Sequence, residues 1–539
     1  MAWRKKSFEL LPALAVRRQA LRGSLRTVTA AWMVGVVWMA CVSGAQTSLF
    51  GRMLGFNNLA FGLLSAIPCA ATAAQLIAAV MIERTGLRKY QFLYFGTIHR
   101  LLWIAMAAIG VLLQPGTTTV VLFLCTYGVS SALGHMMAPA WSTWMGDLIP
   151  RRIRGRYFAN RRIWTIPVQI AVAILSGLLL DYATRPAPVV PAVAAISQPA
   201  SVPAAEDAAS QPASSPEAAT ATHPAGAPAA GAPRQTLLLW TIAGLFTVGG
   251  IFGAIDILLF LRVREMASVP HAPPRPRFGW MLGVVSASVQ VLVEAFRDRV
   301  FRHYALYLAT LQFGICAGGQ FFFLYTLENV GYSKLWTHLC FLVFSSLTSF
   351  NVVRIWGALI DRWGRRPILM FCTSGVVFST VGWFLIVPGH PYLNLGLGIA
   401  TCVVGGAMWS GVDLAQTNIV MGFAERPGRS RLVAAAAVIA AMGGFLGGLT
   451  GGYVAEKFKY LQASPLHVGP FEWNNYHLVF AISSLFRGLS VLWLIRMPDP
   501  GSRPFGAVVH DITAGVYSSV SARLLWPLRV IRRGGDRPD

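Results

Sequence analysis

The sequence predicts an all-α polytopic membrane protein in which twelve transmembrane helices form two parallel-repeat bundles of six. Three observations predict this class: the low charged content, the length of the apolar runs, and polar motifs that occur twice. The chain has 539 residues, of which 55% are hydrophobic and 12% are charged. That charged share is about half that of a soluble globular protein. Many stretches approach the roughly 20 apolar residues that cross a bilayer as a helix, without the alternation typical of a barrel.

The apolar stretches define the helices in chain order. Helices 1 to 6 are predicted near 28–50, 57–82, 91–113, 118–146, 163–181 and 236–261. Helices 7 to 12 are predicted near 304–328, 337–358, 368–388, 393–421, 432–454 and 476–495. The first stretch is longer than the apolar region of a signal peptide, so we expect a retained helix. Segment 278–296 is interpreted as an interfacial helix, because a thirteenth span would reverse the charge distribution described next.

The basic residues are concentrated on one side of the predicted membrane. Of 45 Lys and Arg residues, 36 fall in the termini and loops on that side and six on the other. Basic loops face the cytoplasm, so we expect a multi-pass protein of the cell (inner) membrane with both termini cytoplasmic. The formal net charge of +24 then faces anionic lipid head groups. We therefore expect the bilayer as a partner, no nucleic acid, and a monomer.

The chain divides into five regions on these spans. We predict a cytoplasmic N-terminal segment (1–27), a six-helix bundle (28–261), a cytoplasmic linker with the interfacial helix (262–303), a second six-helix bundle (304–495) and a cytoplasmic tail (496–539). Within the first bundle, the Ala/Pro/Ser-rich loop 182–235 is predicted to be disordered and extracytoplasmic, since it lacks the apolar residues that a core needs. All seven cysteines fall in apolar segments, which predicts buried thiols without a disulfide framework.

The polar motifs of the first bundle recur in the second at a nearly constant offset. The segment 83–88 (Glu-Arg-Thr-Gly-Leu-Arg) matches 361–366 (Asp-Arg-Trp-Gly-Arg-Arg) at 278 positions. Gly177 matches Gly452, and Asp181 matches Glu456, both at 275 positions. A constant offset across several helices indicates duplication of a six-helix unit.

The segment 357–367 carries the most specific motif. Its pattern G-x-L-x-D-R-x-G-R-R resembles the signature loop of the major facilitator superfamily of secondary transporters. The resemblance implies two halves related by an axis along the membrane normal, and transmembrane transport of a small solute by alternating access. It also implies that the loop charges make contacts that break as the halves rock. The corresponding candidates for conformational gating are Asp361, Arg362, Gly364 and Arg366, with Glu83, Arg84, Gly86 and Arg88 in the weaker first copy.

In that superfamily helices 1, 4, 7 and 10 line the central cavity, which selects the candidate binding residues. Asp413 is charged within helix 10, and intramembrane charges are costly enough to suggest function. Its alternative role is that of a structural partner for a nearby arginine. His135 changes charge near neutral pH, or serves as a neutral imidazole bonded to a backbone carbonyl. The uncharged candidates for substrate or ion binding are Trp409, Gln416, Gln312, Gln320, Trp141, Trp144 and Gln46.

Four further intramembrane charges are predicted to be structural. Arg100, Arg354 and Arg487 are expected to be buried in pairs or to reach the interface, with Asp256 of helix 6 as a partner for some of them. No phosphate-binding loop, metal-ligand cluster or nucleophile–base pair occurs in the sequence, so we expect neither an enzyme nor a cofactor, and the only coupling species considered is the proton. The alternative to transport is a transport-incompetent relative that acts as a membrane sensor or assembly partner.

Overall fold

A computed structural model of the chain describes residues 18–42, 44–149, 151–184, 232–264, 296–423, 429–469, 471–499 and 501–524. The predicted interfacial helix lies outside the described residues except for Phe296. The predicted disordered loop lies outside them between 185 and 231. At its two ends the loop prediction is wrong, because helix 5 continues to Thr184 and helix 6 begins at Ala232.

The N-terminal half contains six helices, α1 to α6, at the predicted places. They are α1 (Arg18–Cys41 and Gly44–Met53), α2 (Asn58–Ala71 and Ala74–Thr85), α3 (Arg88–Leu112), α4 (Thr117–Leu148), α5 (Arg151–Thr184) and α6 (Ala232–Leu259, followed by a 3-10 turn Phe260–Arg262). Helix α5 begins at Arg151 instead of near 163, so the arginines at 161 and 162 belong to the helix.

The C-terminal half repeats this arrangement in α7 to α12. They are α7 (Arg299–Gly318 and Phe321–Glu328), α8 (Lys334–His338, a π-helical segment Leu339–Phe344, and Ser345–Trp363), α9 (Arg365–Val381, followed by a 3-10 turn Gly382–Leu385), α10 (Pro391–Phe423), α11 (Arg429–Lys457) and α12 (Asn475–Ile495). A short antiparallel hairpin, β1 (Leu466–Val468) and β2 (Phe471–Trp473), connects α11 to α12. The predicted tail contains one more helix, α13 (Phe505–Leu524), which packs on α9.

Eleven helical stretches of the described residues are long and apolar enough to cross a membrane. The first segment of α2 falls below that length because the helix is interrupted after Ala71. Pro68 lacks an amide N–H. The next turns close through hydrogen bonds between residues three apart instead of four, from Thr72 N to Cys69 O and from Ala73 N to Ala70 O. Such a local change of helix type is a common cause of a break. The two segments together still cover a bilayer thickness.

The bundle has two faces, which we name by their connections. The proximal face carries the described ends of the chain and the motif loops α2–α3 and α8–α9. The distal face carries the connections α1–α2, α7–α8 and α11–α12. In the predicted orientation the proximal face is cytoplasmic.

The buried apolar residues are joined across the two halves on the distal side and separate on the proximal side. One cluster includes Phe50, Phe61 and Trp103 of the first half together with Tyr325 and Phe480 of the second. Near the proximal face each half has its own cluster: one around Trp144 and Phe260, the other around Tyr307 and Trp363. The two halves therefore share a core only toward the distal face.

Candidate functional site

The two halves meet at the distal face through two acidic helix caps that are equivalent in the repeat. The carboxylate of Asp181, at the end of α5, accepts hydrogen bonds from the backbone N–H groups of Lys334 and Leu335 at 2.7 and 3.2 Å. The carboxylate of Glu456, at the end of α11, accepts one from the backbone N–H of Asn58 at 3.1 Å. These amides begin α8 and α2, where N–H groups lack intrahelical partners and the helix dipole favours a negative charge. Asp181 of the first half thus caps a helix of the second half, and its repeat equivalent Glu456 of the second half caps a helix of the first.

Glycines bring these helix pairs close together. A Cβ atom at Gly177 of α5 would lie 2.8 Å from Cα of Leu335 in α8. A Cβ atom at Gly452 of α11 would lie 2.8 Å from Cα of Gly62 in α2. Small residues at helix interfaces allow such close backbone approach in membranes. We call the α5–α8 contact and the α2–α11 contact the two seams.

A third contact between the halves joins the ends of α1 and α7. The guanidinium of Arg52 pairs with the carboxylate of Glu328, with Nη2 to Oε2 at 3.1 Å, and donates to the hydroxyl of Tyr476 at 2.8 Å. The same hydroxyl donates to Glu328 at 2.8 Å, and Tyr476 is fully buried. Charge-assisted hydrogen bonds of this kind are stronger than neutral ones. The distal face is therefore closed by charge as well as by packing.

Nearer the proximal face, two charged side chains from opposite halves are exposed. Asp413 of α10 is exposed, and the charge that acts on it is that of Arg162 in α5, which is also exposed. Arg162 donates to the hydroxyl of Ser349 in α8 at 3.1 Å. Asp413 was predicted from the sequence as a binding residue, whereas Arg162 was missed because α5 was predicted to begin after it.

The predicted glutamines are engaged in contacts between helices. Gln320 of α7 accepts a hydrogen bond from Ser48 of α1 at 2.9 Å, which joins the two halves. Gln46 is fully buried and donates to the carbonyl of Ala40 at 3.0 Å, next to the interruption of α1. Both contacts lie beside helix breaks and support them.

The other two glutamines lie deeper in the bundle. Gln312 contacts the thiol of Cys316 at 3.5 Å, beside the thiol of Cys69 in the opposite half. Gln416 donates to the hydroxyl of Tyr307 at 3.3 Å. Trp409 lies beside Arg487, whose guanidinium carbon is 5.9 Å from the indole centroid. The structure therefore directs Gln416 and Trp409 toward the core of the second half.

The first half encloses a cavity of about 550 Å³ between α1, α2, α3, α4 and α6. Four tryptophans line it, Trp32, Trp38, Trp103 and Trp141, and its polar lining includes Gln75, His99, Arg100, His135 and Asp256 together with the hydroxyls of Tyr127, Ser130 and Ser131. The predicted candidates Trp141 and His135 are thus brought together in this cavity. Trp144 is instead fully buried in the proximal core, where its indole donates to the carbonyl of Arg264 at 3.1 Å.

The imidazoles in this cavity have neutral partners. The Nδ1 atom of His135 lies 2.9 Å from the amide nitrogen of Gln75. The Nδ1 atom of His99 lies 2.8 Å from the carbonyl oxygen of Ser130. The cavity extends to α3 and α6, which the sequence did not identify as lining helices.

The charges predicted to be buried behave in three ways. Arg100 lies beside Asp256, with Nη2 to Oδ2 at 3.7 Å, and both are buried. Arg487 is buried and donates to the hydroxyl of Thr380 in α9 at 2.7 Å. Arg354 was expected to be buried in a pair or to reach the interface. It is exposed, because the opposite face of α8, with Trp356 and Ile360, packs into the core.

The basic residues of the motif loops bind helix ends within their own half. Arg366 donates to the carbonyls of Leu494 and Ile495, at the end of α12, at 2.9 and 2.7 Å. Lys89 donates to the carbonyls of Leu261 and Val263, after α6, at 2.8 Å each. A cation at a helix C-terminus complements the exposed carbonyl groups. Lys89 was missed by the sequence analysis because it follows the matched segment by one residue.

The remaining predicted gating residues are placed as follows. Asp361 and Arg362 are exposed, Arg88 is buried, and Gly86 and Gly364 have φ angles of +65° and +99°. A positive φ is tolerated by glycine at these tight turns. The side chains of Glu83 and Arg84 lie outside the described set. Six of the seven cysteines are buried as predicted, and Cys125 is exposed.

A family model named Major Facilitator Superfamily matches residues 219–448. The match includes α7 to α10, the loop 357–367 and most of α11. The matched stretch, 219–448 of 539 residues, is similar to the major facilitator superfamily. The match and the apolar helices together support a multi-pass membrane protein and membrane transport of a solute. No curated protein sequence matches it at a significant level.

Solved major facilitator structures share the fold at low sequence identity. The nucleoside transporter NupG is 12% identical, with a TM-score of 0.54, and the match covers 88% of this chain and 98% of that one. A D-xylose–proton symporter is 13% identical, with a TM-score of 0.56 and coverage of 88% and 98%. The xylose transporter XylE from E. coli, in a partially occluded inward-open conformation, is 12% identical, with a TM-score of 0.54 and coverage of 89% and 100%. These likenesses concern the fold alone.

Proposed function

We propose that this protein moves a small solute across the membrane by alternating access, with the two halves rocking so that the distal seams open and close. The observation that carries the proposal is the division of the core. The halves share one apolar cluster toward the distal face and have separate clusters toward the proximal face. This arrangement suits a state that is closed distally and open proximally, in which a solute has access from the proximal side.

The acidic caps are suited to a contact that forms and breaks. Asp181 and Glu456 bind backbone N–H groups at the beginnings of α8 and α2, so each bond is lost if the halves separate distally. Loss of a helix cap costs about 0.5–2 kcal/mol. Two caps therefore bias the equilibrium by a few kcal/mol at most, which permits reversal by a bound solute or ion.

Two distances would test this conformational cycle. Spin labels at Leu113 and Tyr392 report on the distal face, and labels at Leu87 and Arg496 report on the proximal face. All four residues are exposed, and the exposed Cys125 would be replaced by serine. Pulsed electron–electron double resonance should give a single short distance between the two distal labels when both seams are unmodified.

Removal of both caps in Asp181→Ala with Glu456→Ala should raise the population with a long distal distance by roughly tenfold or more. The proximal distance should shorten in the same population. The matched control is Glu472→Ala, an exposed acid on the distal hairpin outside the seams, which should change neither distance. Lengthening of the distal distance without any change at the proximal face would contradict a rocking motion.

Proton coupling is part of the proposal, with Asp413 and His135 as the groups that would take up the proton. Asp413 supports it because it is an exposed acid of the second half that feels the charge of the exposed Arg162 of the first half. In proteoliposomes, Asp413→Asn should abolish the response of solute uptake to an imposed pH gradient and retain counterflow. Uptake that ignores pH gradients in the unmodified protein would remove proton coupling from the proposal.

A further inference from the structure

The cavity of the first half has the composition of a binding site for an organic ligand. Its volume of about 550 Å³ falls within the ~300–1,000 Å³ of small-molecule sites. Four indole rings supply a flat apolar lining, and a few polar groups converge on it. Aromatic walls with few polar groups are typical of sites that hold a planar ligand.

The charged pair in this cavity is incompletely satisfied. The 3.7 Å between Arg100 and Asp256 is longer than a hydrogen bond, and Arg100 is only 7% exposed. Its Nε and Nη1 atoms have no hydrogen-bond partner, although the guanidinium lies 3.4 Å from the centroid of the Trp38 ring. A buried donor without an acceptor carries a desolvation cost that no hydrogen bond offsets.

Three indole N–H groups of the same lining are also without acceptors. The Nε1 atoms of Trp38, Trp103 and Trp141 are buried and have no hydrogen-bond partner. Together with Arg100 they place five unpartnered N–H groups on side chains around one cavity. Buried polar groups in native proteins are nearly always paired, so these donors would gain acceptors from a ligand toward which their side chains turn.

Glycines on neighbouring helices leave room for the polar side chains of the cavity. A Cβ atom at Gly35 of α1 would collide with the carboxylate of Asp256, and one at Gly253 of α6 would lie 2.6 Å from Cδ of Arg100. A Cβ atom at Gly134 of α4 would lie 3.1 Å from the ring of His99. Three different helices thus leave room for the polar groups, as expected of a built site.

The surrounding charge favours an anion of low charge. Arg100 and Asp256 cancel formally, and a further cation stands behind the aromatic wall. The guanidinium carbon of Arg161 lies 4.0 Å from the Trp32 ring centroid and 5.9 Å from that of Trp141. Cations over aromatic rings are stabilised by the ring quadrupole and still contribute positive potential.

We propose that this cavity binds an aromatic monocarboxylate, whose ring stacks among the tryptophans and whose carboxylate accepts from Arg100 and the indole N–H groups. The inference names the substrate class of the transport proposed above and therefore rests on that function. Binding to the detergent-solubilised protein is measured without transport, so a failure here leaves the distance measurements on the seams unaffected.

Isothermal titration calorimetry of the full-length protein would compare three probes of one shape: phenylacetate, phenylacetamide and phenethylamine. Quenching of tryptophan fluorescence gives a second readout, which does not depend on the binding enthalpy. We expect phenylacetate to bind at least tenfold more tightly than the neutral amide, and the cationic amine not to bind. Equal affinities for the acid and the amide, or no binding of the acid at millimolar concentration, would overturn the proposal.

The charged pair is tested by Arg100→Met combined with Asp256→Asn, which avoids leaving one buried charge alone. This double variant should weaken phenylacetate binding at least tenfold. The matched control is Arg487→Met, which removes the buried arginine of the other half and should leave binding unchanged. Trp141→Phe keeps the ring and removes one unpartnered donor, so it should weaken binding severalfold if the double variant does not fold. Unchanged binding in the double variant, or in Trp141→Phe where the double variant does not fold, would overturn the proposal.

Discussion

Each half of the molecule buries one arginine between its third and sixth helices, and the two halves accommodate it differently. In the first half Arg100 of α3 faces the carboxylate of Asp256 across 3.7 Å and lines a cavity. In the second half Arg487 of α12 donates to the neutral hydroxyl of Thr380 in α9. Thr380 in turn donates to the carbonyl of Val376. The duplicated framework therefore holds a charged pair beside a cavity in one copy and a simple hydrogen bond in the other.

The difference supports the binding site proposed in the first half. A buried charge is costly, and Arg487 is accommodated by a neutral hydroxyl and surrounding rings, with its buried Nε atom lacking a hydrogen-bond partner. Arg487 lies 5.9 Å from the ring centroids of both Phe322 and Trp409. Arg100 has a partner of opposite charge and still keeps two unpaired nitrogens. The arginine of the second half therefore packs beside a hydroxyl and rings, whereas that of the first half lines the cavity for which a ligand is proposed above.

The largest effect should come from breaking the charged pair on one side only. Arg100→Met leaves the carboxylate of Asp256 buried alone, which should lower the free energy of unfolding by about 3–5 kcal/mol. Arg487→Met leaves Thr380 with the carbonyl of Val376, so a loss of about 1 kcal/mol is expected. Titration with sodium dodecyl sulfate in mixed micelles measures both. Similar losses in the two variants would show that the halves treat their arginines alike.

A smaller effect should come from filling the space around each arginine. Gly35→Ala places a methyl group against the carboxylate of Asp256 and should cost about 1–3 kcal/mol through overpacking. Gly488 of α12, next to Arg487, has nothing within 4 Å of an added Cβ. Gly488→Ala should therefore be neutral or stabilise the helix by about 0.5–1 kcal/mol. The same denaturation assay applies. An alanine that is tolerated at position 35 would mean that the Asp256 carboxylate does not occupy the space beside Gly35.

The smallest effect should come from the cations of the two motif loops. Lys89→Met and Arg366→Met each remove a charge from a helix C-terminus, which contributes about 0.3–1 kcal/mol. The side chain of Arg366 binds the carbonyls of Leu494 and Ile495 at the end of α12. Hydrogen exchange should therefore increase at the end of α12 for Arg366→Met, and at the end of α6 for Lys89→Met. Unchanged exchange at both places would assign these cations to the lipid surface.

The sequence repeat predicted more of the interface than the individual site residues did. Asp181 and Glu456 were matched by their offset, and the structure gives them equivalent caps. Gly177 and Gly452 were matched in the same way and make equivalent close contacts. An offset can be read from one chain because duplication preserves position, although it does not say which helix the residue will touch.

The site residues were harder to predict because an error in where a helix begins assigns its first residues to a loop. Arg161 and Arg162 were assigned to a loop, whereas α5 begins at Arg151 and places them opposite Trp32 and Ser349. Trp144 lies in the predicted helix and is buried in the core. Arg354 also lies in the predicted helix and is exposed. Apolar periodicity is a weak guide to direction in a membrane helix, because lipid and protein core are both apolar.

The sequence by itself determined the membrane class, the twelve helices, the duplication and the motif loop, because each is recorded in the order and spacing of apolar and charged residues. The tertiary structure decided that the distal face is closed, that Arg100 meets Asp256, and that a cavity lies between α1, α2, α3, α4 and α6. Those features depend on which side chains from distant helices meet. Packing of the helices within and between the halves settles that, and no local spacing encodes it.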